Sequence, residues 1–136
     1  MEVTAGSDNQ GVKLRFLRDG DKLDDADVVV VRGGELDDII LRVDALRYHR
    51  IYGTYGVSVF AVRGLTLDEM AQRAPLVRFD RLTLMRVGVL RAARLWLEPT
   101  GRNPRHYTLA FDDLDDGVAR LVGCDHDVVS NPYYEP

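Results

Sequence analysis

Arg32 closes a run of four valines, Val28 to Val31, and Gly33 and Gly34 follow it. A guanidinium at the end of a buried strand projects into a cleft, where its planar fork can hold a phosphate through two parallel hydrogen bonds. The glycines lack a Cβ, so a ligand can approach the backbone closely. The plain alternative is an arginine that snorkels from a strand end to solvent. A second stretch, Tyr52-Gly-Thr-Tyr-Gly-Val-Ser58-Val-Phe60, sets two tyrosines and two glycines ahead of a strand that carries a serine. A hydroxyl in a buried strand needs a partner, whether backbone, ligand or a neighbouring catalytic group. Ser58 is not on a nucleophile elbow, because Gly-Val-Ser-Val-Phe lacks the second glycine.

Histidine is the other source of chemistry near neutral pH. His106 enters a strand in Pro104-Arg-His-Tyr107, where it can do acid–base work or grip a phosphate. His49 sits in Arg47-Tyr-His-Arg50, and with Tyr52 and Tyr55 this cluster suits binding or metal-independent cleavage of RNA. Asp125-His126-Asp127 beside Cys124 has metal-ligand residue types. Adjacent side chains in an extended chain point apart, however, so no metal site is expected. No P-loop and no Gly-x-Gly-x-x-Gly is present.

These residues need elements to hold them. Val12, Leu14 and Phe16 alternate with basic residues like a half-buried strand, and Asp19-Gly20 marks a turn. Val28 to Val31 reads as a central strand buried on both faces. Leu36, Ile39, Ile40, Val43 and Leu46 form one apolar stripe at helical spacing, with Glu35, Asp37 and Asp38 at its start and Arg47, His49 and Arg50 near its end. Val57 to Val62 reads as a strand. Thr66-Leu-Asp-Glu69 is a capping box opening a short helix that Pro75 closes. Residues 76–87 read as a strand and 88–94 as a short helical link. Leu95 to Glu98 and His106 to Phe111 form two strands around a Pro-Gly-Asn loop, and Asp113 caps a last helix carrying Leu114, Val118, Leu121 and Val122. Cys124 to Pro136 reads as a tail whose tyrosines, Tyr133 and Tyr134, fold back over the sheet edge or the mouth of the cleft.

Strands and helices do not alternate strictly, so the expected fold is α+β: one domain with a mixed or mostly antiparallel sheet and three to four helices. Residues 1–11 are expected to be a flexible tail and 12–136 the globular domain. The length of 136 residues suits one core without staples, and the single cysteine excludes an internal disulfide. No apolar run is long enough for a membrane span and the N-terminus lacks a signal pattern, so the expected compartment is cytoplasmic. Charge is uneven. Residues 42–105 hold 12 basic and 5 acidic side chains, against 5 and 10 before them and 1 and 7 after. That basic middle suits an anionic partner such as nucleic acid or nucleotide, unless the acidic ends fold over it.

An arginine closing the first core strand, a helix, and a second core strand with a glycine-aromatic stretch and a serine resemble the opening of the ADP-ribosyltransferase fold. The likeness covers residues 28–62 and extends through the strands to 111. It implies that Arg32 contacts NAD and that Ser58 supports the nicotinamide site, and the placement of Gly33, Tyr52 and Tyr55 beside them sets those residues around the same cofactor. It implies that Glu98 is the late-strand glutamate, although Trp96 stands where the family has an acidic residue or glutamine. Small bacterial toxins, including NAD-degrading toxins of toxin–antitoxin pairs, share that fold. The implied function is an NAD-using toxin-type enzyme with an antitoxin or target as partner. Two other functions fit the residues: a small RNA-binding protein or ribonuclease, and a non-catalytic partner module such as an antitoxin or adaptor.

Overall fold

A computed structural model of the chain describes residues 22–34 and 36–136. The strand expected at Val12 to Phe16, the Asp19-Gly20 turn, the flexible tail at 1–11 and Glu35 lie outside the described residues. The elements follow as β1 (Val28–Gly33), α1 (Asp38–Tyr52), β2 (Tyr55–Ala61) and α2 (Leu67–Ala71), then β3 (Arg81–Arg86) and α3 (Val87–Ala92). β4 (Trp96–Pro99), β5 (His106–Phe111), α4 (Leu114–Val122) and β6 (Asp127–Ser130) complete the chain. Among the described residues six strands form one sheet in the order β4-β5-β2-β1-β3-β6, and every neighbouring pair is antiparallel. The chain is thus a single α+β domain, and no helix among its described residues is long and apolar enough to cross a membrane.

The sheet separates two apolar clusters. Val29, Val31, Val57 and Val59 point to the larger one, where α1 adds Leu41 and Ala45 and α4 adds Val118 and Leu121. Val30 and Leu82 point the other way, to a smaller cluster with Met70 and Ala71 of α2 and Leu76. β1 therefore is buried on both faces, as its unbroken valine run implies. Local signals place the helices. Asp37 accepts from the Ile40 N–H, Thr66 and Glu69 form the capping box, and Asp113 accepts from the Asp116 N–H. Gly53, at φ 81°, ends α1 in a left-handed turn that glycine adopts without strain.

Three expectations are corrected. The stripe read as the buried face of α1 is its outer face: Ile39 is 71% exposed, and Ile40, Val43 and Leu46 are also exposed. The helix instead buries Leu41 and Ala45, because a small residue lets it sit close to the sheet. The strand read over 76–87 begins only at Arg81, after a turn of 3₁₀ helix at Leu76–Arg78. The C-terminal segment read wholly as tail contains β6, which pairs with β3 along Asp127–Ser130. Beyond it the chain folds back. Asn131 is buried and donates to the carbonyls of Ala71 and Leu76 at 3.2 and 3.1 Å, while its own carbonyl accepts from the Tyr133 N–H at 3.0 Å. Tyr133 packs on the smaller cluster and its hydroxyl donates to Asp68 at 2.8 Å.

The basic middle is partly covered. Asp115 pairs with Arg42, and Asp25 with Arg91 at 2.8 Å, so carboxylates from both acidic ends reach it. These pairs are exposed and contribute little individually.

Asn131 is therefore the polar clamp of the C-terminal segment. Replacing Asn131 by alanine leaves the Ala71 carbonyl without its donor, while the Leu76 carbonyl keeps the Phe79 N–H, and should cost about 1–2 kcal/mol. Chemical denaturation should show it as a lower midpoint with unchanged slope; an unchanged midpoint would mean the clamp contributes nothing.

Candidate functional site

The ladder between β1 and β2 is short. Only Val29 with Ala61 and Val30 with Phe60 are in register, and the strands then part. On its other side β1 stays paired with β3, but with a slip: Val30 faces Leu84, Arg32 faces Thr83, and Val31 is the extra residue. One inserted residue rotates the next side chain to the other face. Arg32 accordingly leans towards α1, where its Nη1 meets Asp44 at 3.4 Å, while its Nε donates to the Gly33 carbonyl at 3.0 Å.

A slot of about 350 Å³ fills the gap between the parted strands. Arg32 and Ser58 both border it. Parity alone would put them on one face, since Val30 pairs with Phe60; the slip turns Arg32 to the other face, and the open ladder joins the two faces at this point. Asp44, Arg47 and Tyr48 of α1 form the polar side, and Phe60, Leu76 and Phe79 the apolar side. Asp44 also meets Arg47 at 3.9 Å, so two guanidinium groups share one carboxylate and leave a net positive rim. The Arg32 side chain is 19% exposed, where a charged contact is screened less than at the open surface. Ser58 is exposed and has no hydrogen-bond partner among the described residues, rather than sitting in the buried, satisfied position its strand suggested.

Tyr48 enters the slot beside Gly56. A Cβ on Gly56 would stand 3.2 Å from the Tyr48 ring and 2.7 Å from the Thr108 methyl. The Tyr48 hydroxyl lies 3.0 Å from the Thr108 hydroxyl, which lies 2.9 Å from that of Thr100, which lies 2.9 Å from His106 Nδ1. The same Nδ1 is 3.1 Å from the Thr100 carbonyl, which can only accept. The three hydroxyls and the imidazole form one continuous chain, and the His106 tautomer sets the order of donors along it. Burial pushes the Tyr48 phenol up to about 12, opposed by the Thr108 hydrogen bond. The phenol therefore stays protonated and neutral at all physiological pH.

Of the residues singled out by sequence, Arg32, Gly33 and Ser58 line the slot. Glu98 does not. It stands in one cross-strand row with Thr108 and Ser58, so β5 separates it from β2 and the two side chains are roughly 10 Å apart. The Trp96 indole N–H donates to its Oε2 at 3.3 Å. His106 is also outside the slot and reaches it only through the hydroxyl chain. Gly33 does not hold its space open for a ligand: the Phe79 ring fills it, 2.1 Å from where a Cβ would be. Tyr55 faces the larger core, stacked between His49 at 4.3 Å and Phe111 at 6.4 Å. Tyr52 packs on Tyr48 at 4.6 Å rather than on the slot wall. Asp44 and Phe79 went unread, and Arg47 and Tyr48 were read only as part of the cluster around His49. For Tyr48 a signal existed: Leu41, Ala45 and Tyr48 fall at i, i+4 and i+7, a second and narrower stripe on α1. His126 Nδ1 lies 2.8 Å from the Cys124 carbonyl, and no group of three metal-ligating side chains converges among the described residues.

No family model matches the chain, and no curated protein or solved structure matches it either.

The buried phenol gives a direct test. Folding favours its protonated form, so its contribution to stability is complete below the ordinary tyrosine value near 10 and is lost as pH rises towards 12. Ultraviolet titration should show a late tyrosine step that Tyr48→Phe abolishes and Tyr133→Phe leaves in place. Survival of that step in Tyr48→Phe would remove Tyr48 from the buried chain.

Proposed function

We propose that the slot binds NAD and that the protein is an NAD-using enzyme of the toxin type, acting by ADP-ribosyl transfer or NAD breakdown. The observation that carries this reading is that Arg32 and Ser58, from different strands, border one slot that also holds a neutral phenol and an aromatic wall. Each part suits a piece of the dinucleotide. The positive rim of Arg32 and Arg47 suits the pyrophosphate, since guanidinium groups hold phosphate oxygens bidentately. Phe60 and Phe79 offer flat apolar surface to a planar ring. The Tyr48 hydroxyl bonds the carboxamide, and the unpartnered Ser58 hydroxyl can bond the amide or the ribose. The slot is too small for a whole dinucleotide, so it takes the nicotinamide riboside half and leaves the rest along the rim.

The bond to be broken is the glycosidic bond from ribose C1′ to the nicotinamide nitrogen. Its electron pair leaves with nicotinamide, which becomes neutral, and the electron-poor C1′ is captured by water or by a nucleophile on a target. A carboxylate near C1′ stabilises the positive charge that develops there. Asp44 is the carboxylate that lines the slot, whereas Glu98 stands outside it, in the Ser58 row across β5. The RNA reading draws less support from the geometry, because the His49 ring is engaged in its stack with Tyr55 and Asp115 lies on Arg42.

Nicotinamide release from NAD, followed by chromatography, tests the proposal, with NAD affinity read by calorimetry. Arg32→Ala should weaken NAD binding roughly 10-fold or more while leaving the melting temperature unchanged, as its side chain is at the slot and not in either core. Asp44→Asn should reduce release by roughly 100-fold, and Glu98→Gln, outside the slot, should leave release unchanged. A wild-type protein that neither binds NAD nor releases nicotinamide overturns the reading and leaves a non-catalytic partner role.

A further inference from the structure

α1 carries two faces that ask for different neighbours. Its inner line, Leu41, Ala45 and Tyr48, meets the sheet and the slot. Its outer line, Ile39, Val43 and Leu46, continues the same i, i+4, i+7 spacing into solvent, at 71%, 48% and 43% exposure, with Ile40 beside it at 43%. Four branched aliphatic side chains on one helix face present an apolar patch on the order of 400 Å², of the size that marks interaction sites on monomers. The patch runs along the 15-residue helix, about 22 Å, so its occupant is elongated. The flank towards α4 is already closed by Arg42, which pairs with Asp115 and, at 3.6 Å, with Asp38.

The charges at the two ends of this stripe select the occupant. Asp37 and Asp38 stand at its N-terminal end, and Arg47 and Arg50 at its C-terminal end. Arg50 continues the line of Ile39, Val43 and Leu46 at i+11. A two-fold axis midway between Val43 and Leu46 sets each Val43 against the other copy's Leu46. It also lays the aliphatic stem of each Arg50 over the other copy's Ile39, with its guanidinium beside that copy's Asp38. Half of the Asp38 side chain remains exposed despite its contact with Arg42. The antiparallel arrangement also opposes the two helix dipoles, whereas a parallel one would stack Arg50 on Arg50. The stripe is complementary to itself in shape and in charge. We propose that the outer face of α1 is the interface of a homodimer, α1 packing antiparallel on α1 of a second copy.

The inference stands apart from the NAD reading, since Ile39, Val43, Leu46 and Arg50 are not among the slot's lining. Sedimentation equilibrium of the full chain, from about 5 to 200 µM, should show a reversible dimer with a dissociation constant in the micromolar range. Leu46→Asp should shift it to monomer across that range, with the melting temperature read alongside to show that α1 still folds. Arg50→Glu, a change at an exposed polar position, should weaken the dimer roughly 10-fold, and adding Asp38→Arg to it should restore association. A wild-type protein that stays monomeric at every concentration overturns the proposal. So does a dimer whose constant is the same in folded Leu46→Asp. A dimer indifferent to Arg50→Glu overturns the antiparallel arrangement.

Discussion

The architecture turns on where one hydrogen-bond ladder stops. β1 and β2 are neighbours in the middle of the sheet, yet they pair only at Val29–Ala61 and Val30–Phe60. Continued pairing would set Arg32 directly opposite Ser58 and close the sheet between them. The strands part because each is held by its outer neighbour: β1 by β3, up to the Gly34 N–H on the Arg81 carbonyl, and β2 by β5 along Tyr55–Phe60. Backbone groups on the outer edges therefore keep their partners while the inner edges open. The one-residue slip against β3 then sends Arg32 to α1, and the missing Cβ at Gly56 lets Tyr48 cross into the gap.

The slot's far wall belongs to a different part of the chain. Leu76 and Phe79 are set by the 3₁₀ turn after α2, and that turn is held from the C-terminus. Asn131 donates to the Leu76 carbonyl, the Glu135 N–H donates to the Val77 carbonyl, and the Phe79 ring is seated on Gly33. The last residues of the chain therefore define one side of a site whose polar groups come from its first half. A segment expected to cover the sheet edge or the cleft mouth is a strut for the slot.

How much of this was legible follows from which interactions are local. The valine run of β1, the capping box of α2 and the aspartate caps are written in neighbouring residues, and the structure follows them. The pairing of Arg32 with Ser58 on one slot was legible because both lie at strand positions flanking a single helix. The face of α1 was not. A hydrophobicity pattern favours the bulkier stripe, whereas close contact with a sheet favours the line containing Ala45. Strand β6 has only Val128 and Val129 between an aspartate and a serine, so its conformation comes from pairing with β3 rather than from propensity. Asp44, Arg47 and Tyr48 gain meaning only once the ladder between β1 and β2 is known to be open.

The chain of hydroxyls behind Tyr48 has a polarity, and polarity can be reversed. Each threonine hydroxyl both gives and takes one hydrogen bond, so the order of donors is a single collective choice rather than three separate ones. The tautomer of His106, whose Nδ1 meets both the hydroxyl and the carbonyl of Thr100, makes that choice. Were the imidazole proton to pass from one nitrogen to the other, Thr100, Thr108 and Tyr48 would all turn in concert. The slot presents a proton in one order and a lone pair in the other. A change of tautomer at His106 thus inverts the hydrogen-bonding sense of the slot's interior.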